Sequence, residues 1–291
     1  MALATYAPVL DAVRGMAWPA VRRVRSAVPG PHTSVVRGTT AEFIEYRPYR
    51  QGDDPKRIDW KLVARTDRIY VRISQERAVL PTMLVVDASA SMAFPPETNA
   101  KWELARRLAV GLAAVARHRG DPVGLAVARE GGARIVAPQT RRTVLDEMMR
   151  ALEVAPGGTA PLAPAVRDAL RLCERLVLIT DFLGDPLLAL AKPFAAAGHE
   201  LYAVHAVDPG ELDPDPKMLL VADPEDPTLR RPLPAHAREE YVRRFRAWRE
   251  GLARDWRRIG ARYAMVVPGR EPFRRMVRRI TSGAAARGGG S

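Results

Sequence analysis

From Thr82 onward, apolar and polar positions switch between two regimes. Thr82 to Val86 (TMLVV) is a continuous apolar run that stops at Asp87, the pattern of a strand covered on both faces. Lys101 to His118 places apolar residues at Leu104, Ala105, Leu108, Leu112, Ala113 and Ala116, the spacing of one helix face. Pro122 to Ala128 and Ala133 to Ala137 predict two strands, with Glu130-Gly131-Gly132 as the turn between them. Arg142 to Leu152 returns to helical spacing, and a Pro-Gly-Gly-Thr break at Pro156 to Thr159 precedes a helix over Leu162 to Leu172. Leu176 to Thr180 (LVLIT) is a second buried strand, ending at Asp181, followed by a helix over Pro186 to Ala197 that Gly198 closes. A strand at Glu200 to Val207, a long Asp/Pro-rich loop from Asp208 to Pro234, an Arg-rich helix at Ala235 to Ile259, a strand at Tyr263 to Val267 and a helix at Pro272 to Ile280 complete the pattern.

Strand and helix alternating in this way predict an α/β fold, an open and mostly parallel sheet flanked by helices, over residues 80–281. Residues 32–79 differ: they are polar, charge-paired and poor in helical periodicity, with a strand at Ile69 to Ile73, and predict a small β-rich appendage. Ahead of them, Leu10, Val13, Ala17, Val21 and Val24 suit an amphipathic helix. The expected division is therefore residues 1–79 for the N-terminal helix and appendage, 80–281 for the wound sheet, and 282–291 (SGAAARGGGS) for a disordered tail.

Charge changes this picture less than its size suggests. The 291-residue chain carries a formal net charge of +13, but the basic excess sits at the two ends and the middle is slightly acidic. Only five of the 46 basic residues are Lys, and the Arg, Ala and Pro usage matches a GC-rich genome. A solvated basic face is the reading this supports, with no nucleic-acid partner expected. Apolar runs stay far below the ~20 residues of a membrane helix, and the N-terminus lacks the layout of a secretory signal. Cys173 is the single cysteine, which excludes an internal disulfide and a cysteine-based zinc site and points to the cytoplasm. The five histidines show no metal spacing, and His205 falls in a strand where a core role is expected. Trp248 and Trp256, eight apart on one helix, predict a face packed on the sheet.

The chemistry gathers at strand ends. Open α/β sheets bind ligands at the carboxyl ends of their strands, near the point where strand order reverses. Asp87 and Asp181 each end a strand there, and Asp87 opens an Asp-x-Ser-x-Ser run with Ser89 and Ser91. Thr159, in the Gly157-Gly158-Thr159 loop, adds a third hydroxyl or caps the helix that follows. An all-oxygen shell of this kind selects Mg²⁺, or Mn²⁺, over zinc. Two carboxylates leave such an ion short of neutrality, so a protein partner's Asp or Glu can complete the shell.

Asp87-x-Ser89-x-Ser91, then Thr159, then Asp181, resembles the metal-ion-dependent adhesion site of von Willebrand factor A-type domains, over roughly residues 80 to 281. Many such domains have Gly after the last Asp, where this chain has Phe182. The block from Glu45 through Arg47-Pro48-Tyr49-Arg50-Gln51-Gly52-Asp53-Asp54-Pro55-Lys56-Arg57-Ile58-Asp59-Trp60 is similar to the signature of the bacterial "domain of unknown function 58" family, which sets it before an A-type domain. That resemblance implies a von Willebrand factor A-like, Rossmann-type fold and a MoxR-type AAA+ ATPase as partner, in complex assembly or chaperone-like work. Within the block, Asp53, Asp54, Arg57, Asp59 and Arg65 are expected in structural ion pairs, and Trp60 as a packing anchor.

Two other functions compete. A Mg²⁺-dependent phosphohydrolase would use Asp87 as nucleophile, but such enzymes need a carboxylate two residues on, where this chain has Ser89, and no suitably placed Lys is evident after it. A nucleic-acid-binding protein would use the Arg-rich ends, with steep salt dependence. No nucleotide-binding G-x-x-x-x-G-K-[ST] loop and no serine-hydrolase elbow is present, so the chain itself is expected to be no enzyme.

Overall fold

The computed structural model describes residues 2–20, 39–184, 186–215, 220–222, 230–232 and 234–282. Contacts divide the chain into two compact units, 22–79 on one side and 1–21 with 80–291 on the other. The N-terminal helix α1 (Ala2–Ala12) therefore belongs with the wound sheet, not with the appendage it precedes in sequence.

The smaller unit is built on an antiparallel pair, β1 (Thr39–Pro48) and β2 (Tyr70–Ala78). Between them lie a 3-10 turn at Pro55–Arg57 and the helix α2 (Trp60–Thr66). Its acidic residues work locally. The Asp59 carboxylate caps α2 by accepting from the N–H groups of Lys61 and Leu62, and it also accepts from the Tyr46 hydroxyl at 2.7 Å. Asp54 caps the 3-10 turn, and Asp53 accepts from the Arg50 backbone and the Arg47 guanidinium, which hold its carboxyl below the usual range. The expected ion pairing of Asp53 is thus present, and Asp54 and Asp59 act as caps. Trp60 departs from expectation: 65% of it is exposed, because the first residue of a capped helix faces outward here.

The larger unit continues through β3 (Thr82–Asp87), α3 (Ala100–His118), β4 (Val123–Arg129), β5 (Gly132–Gln139), α4 (Val144–Ala151), α5 (Leu162–Leu170), β6 (Arg175–Thr180), α6 (Leu188–Ala196) and β7 (Glu200–Ala206). The segment expected as one long loop contains a single-turn helix, α7 (Pro209–Leu212), and a short antiparallel pair, β8 (Leu220–Ala222) with β9 (Arg230–Pro232). The helix α8 (Ala235–Arg258), β10 (Arg262–Val266) and α9 (Phe273–Ser282) close the fold. The tail expected after Ser282 lies outside the described residues.

Six strands form one sheet in the order β10-β7-β6-β3-β4-β5, parallel except for the edge pair β4-β5. The continuous apolar runs follow from helices on both faces, since successive side chains of a strand point oppositely. Leu84 and Val86 enter the core beneath α1, α3, α4 and α9; Met83 and Val85 enter the one beneath α5, α6 and α8. Gly124 permits a close approach in the sheet, as a Cβ there would stand 2.5 Å from the Met83 sulfur and 2.6 Å from the Val136 carbonyl.

At the amino ends of the strands a polar plug ties the N-terminal arm to the sheet. Arg175, fully buried, donates to Glu200 at 2.8 Å and to Asp121 at 3.2 Å. Its guanidinium lies 4.5 Å from the Trp18 ring centre, and the Trp18 indole N–H donates to the Tyr202 hydroxyl at 2.9 Å. Among the described residues, the arm buries Tyr6, Val9, Val13, Met16 and Trp18, a set shifted from the spacing expected of one long helix because α1 ends at Ala12. Of the five residues assigned to that helix, Val21 and Val24 lie outside the described residues.

Candidate functional site

Strand order reverses at β3: the chain first builds β4 and β5 on one side, then crosses to β6, β7 and β10 on the other. The crevice at the carboxyl ends of β3 and β6 is therefore the place where a wound sheet presents a ligand site. Asp87 is the last residue of β3, and Asp181 follows the last residue of β6.

Asp87, Ser89, Ser91 and Asp181 are all buried. The Asp87 carboxylate accepts from the Ser89 backbone N–H at 2.9 Å and from the Thr180 hydroxyl at 2.7 Å, one bond to each oxygen. Each oxygen keeps lone-pair capacity beyond these bonds. The Ser89 and Ser91 hydroxyl oxygens lie 3.0 Å apart, because a 3-10 turn over Ala90–Ala93 curls the chain back on itself. Burial and the nearby Asp181 charge push the Asp87 carboxyl up to about 6, against the pull of its hydrogen bonds. The crevice thus holds a carboxylate short of positive charge.

Thr159 sits on a loop joined by its backbone to the Asp87 turn. Ala90 N–H donates to the Gly158 carbonyl at 3.0 Å, and Gly157 N–H to the Ala88 carbonyl at 2.9 Å. Gly158 has φ +59°, and a Cβ there would press on the Glu130 carboxylate. The Thr159 side chain itself is exposed. The alternative role as a helix cap falls away, since Pro161 occupies the cap position of α5.

Asp181 has a neighbour that spacing did not reveal. Lys101, in the first turn of α3 and fully buried, donates to Asp181 Oδ2 at 2.9 Å and to Glu211 Oε1 at 2.8 Å. Burial pulls its pKa down, but the Asp181 and Glu211 carboxylates outweigh that and hold the ammonium above its ordinary value. Asp181 Oδ1 accepts from the Leu183 N–H at 3.2 Å. Glu211 is itself placed by α7, where Asp208 and Glu211 form a reciprocal capping box. A lysine does reach the strand ends, then, and its charge is committed to two carboxylates. One clue was available: Lys101 is among only five lysines, on a helix that also carries Arg106, Arg107 and Arg117.

Phe182 occupies the position where many of the resembling domains carry Gly, and its φ of +59° shows why Gly is suited there. The ring offsets that backbone strain by packing 5.3 Å from Trp256 and edge-on to His205 at 5.6 Å. His205 is buried as expected, pairs with the Tyr263 hydroxyl, and is pushed down to about 3 chiefly by burial. Trp248 also meets His205, so both tryptophans of α8 line the side facing the sheet. Cys173 is buried, which pushes its thiol up to about 12.

These groups set opposing pH dependences. Asp87 rises from 3.8 to about 6, so between those values the folded chain holds the extra proton, and this contribution to stability is lost as pH rises through 6. His205 falls from 6.5 to about 3, so the unfolded chain holds the extra proton, and this contribution is lost as pH falls below 6.5. Between pH 4 and 6 the two slopes offset each other. Asp87→Asn is expected to expose the His205 slope, a loss of about 1.4 kcal/mol per pH unit on acidification. Urea midpoints at pH 4, 5 and 6 in EDTA check this.

Fold and site together define a wound α/β domain whose strand-order switch carries two carboxylates and a pair of touching serine hydroxyls. The chain belongs to the family described as "Protein of unknown function DUF58", whose model matches residues 45–251. It is 32% identical over 255 residues to an uncharacterized protein of Mycobacterium tuberculosis, covering 82% of this chain and 78% of the relative, and equally to one of Mycobacterium bovis. Similar solved structures include the SpRpn10 VWA domain, at 11% identity and TM-score 0.41, over 69% of this chain and 95% of that one. Another is proximal thread matrix protein 1 of the mussel byssus, at 15% identity and TM-score 0.34; the match covers 44% of this chain and 38% of that one. No helix among the described residues is long and apolar enough to cross a membrane.

Proposed function

We propose that this chain is a Mg²⁺-dependent protein-interaction module that docks partners at the β3–β6 crevice. In this reading Asp87, Ser89, Ser91, Thr159 and Asp181 form a metal-ion-dependent adhesion site, and the ion recruits an Asp or Glu of the partner. The observation that carries it is the buried pair of serine hydroxyls, 3.0 Å apart, two and four residues after the buried Asp87 carboxylate that ends β3. Among the described residues no three His, Cys, Asp or Glu side chains gather as a metal-binding group, so an ion here depends on the hydroxyls as well. That donor set fits Mg²⁺ or Mn²⁺ and is foreign to zinc. The fit is direct for Asp87, Ser89 and Ser91. Asp181 already engages Lys101 and Leu183, which suits a ligand acting through water, and Thr159 joins through the loop that Ala90 and Ala88 hold in place.

When bound, the ion supplies a positive centre with a coordination position open to an outside oxygen. The chain's own residues do the rest: Thr180 and the Ser89 N–H orient the Asp87 carboxylate, while Phe182, His205 and Trp256 pack beside the loop that carries Asp181. Ser89 stands where a phosphohydrolase needs a second carboxylate, which favours binding over catalysis. The partner proposed is a MoxR-type AAA+ ATPase, which would provide the nucleotide chemistry this chain lacks.

The test is capture of the purified MoxR-type ATPase from the same genome on immobilised chain. Retention is expected in Mg²⁺, with loss in EDTA and loss with Asp87→Ala. Equal retention in all three would overturn the proposal.

A further inference from the structure

Lys101 stands where an isolated ammonium would be unwelcome. It is fully buried, and it lies in the first turn of α3, at the end where the helix dipole is positive. Two carboxylates offset this: Asp181 at 2.9 Å, from the end of β6, and Glu211 at 2.8 Å, from α7. The lysine thus spans two separate loops of the crevice. Both oxygens of Asp181 have donors, and the stronger of those donors is a full positive charge. Asp87, in contrast, has only neutral donors on its oxygens.

We propose that Lys101 is a tethered competitor of the divalent ion: its ammonium satisfies Asp181 in the ion's place and keeps the crevice's intrinsic Mg²⁺ affinity low. This inference rests on the metal reading above. Its physical basis is repulsion between an ammonium and a divalent ion that share the Asp181 carboxylate inside a buried crevice, where charges are poorly screened. A weakly held ion gains most from an additional carboxylate, so the lysine ties firm ion retention to the presence of an acidic partner. A purely structural clamp makes the opposite demand, because loosening the Asp181 and α7 loops would then weaken the ion.

Calorimetric titration of Mg²⁺ into the full chain at pH 7.5 separates the two. Lys101→Met is expected to bind Mg²⁺ at least about tenfold more tightly than wild type, and Lys101→Arg about as wild type. Lys101→Met leaves Glu211 without its ammonium, so the double variant Lys101→Met/Glu211→Gln is measured alongside; it removes the pair together and preserves total charge. It too is expected to bind more tightly, because Asp181 is released. Near-UV circular dichroism reports whether each variant keeps its packing, and the double variant decides if the single one does not. Unchanged or weaker binding in a folded variant, with binding by wild type intact, overturns this proposal alone. Absence of Mg²⁺ binding in wild type and in both variants overturns the metal reading and this proposal with it.

Discussion

Arg175→Met is expected to destabilise the wound domain by about 3–5 kcal/mol, the usual cost of removing one partner from a buried ion pair. The guanidinium is fully buried between Glu200 and Asp121, touches the Thr82 hydroxyl, and lies over Trp18. Methionine fills much of the same volume, so the expected loss is electrostatic: Glu200 and Asp121 lose the guanidinium that lies between them. The Leu80 N–H on Asp121 and the Tyr202 hydroxyl on Glu200 are neutral donors and do not replace that charge. Domains of this kind have only about 5–15 kcal/mol to lose, so the shift in urea midpoint should be large. Adding Glu200→Gln to the variant should recover part of it. A loss below about 1 kcal/mol would mean that the plug is not held by its charges.

How much of this was legible in the sequence varied with the reach of the interactions. Thr82–Asp87 and Arg175–Thr180 could be read from their continuous apolar runs, because both of their faces are covered. Once those strands were placed, Asp87 and Asp181 fell at their carboxyl ends, and the turn through Ser89 and Ser91 followed. Long-range pairings could not be read. Trp18 meets Tyr202 across 184 positions, so nothing near it indicates that the N-terminal arm belongs with the wound sheet. Lys101 reads as a solvated residue of a helix's first turn until α7 brings Glu211 to it. Thr180 looks like one more buried strand residue, yet its hydroxyl orients Asp87. Trp60 has the composition of an anchor and the exposure of a surface residue, and only packing separates the two.

Asp87→Ala is expected to abolish divalent-ion binding outright. Asp87 is the one proposed carboxylate ligand whose hydrogen bonds come only from neutral groups, and Ser89 and Ser91 add no charge of their own. Hydroxyls alone do not outbid water for a hard cation. The fold should survive, because the lost side chain is a buried carboxylate pushed up to about 6, which burial and Asp181 disfavour when ionised. Electron paramagnetic resonance of Mn²⁺ titrated into the full chain measures the bound fraction directly. The account predicts one Mn²⁺ per wild-type chain, displaced by excess Mg²⁺, and none on a folded Asp87→Ala. Equal Mn²⁺ uptake by both proteins, or none by wild type, would contradict it.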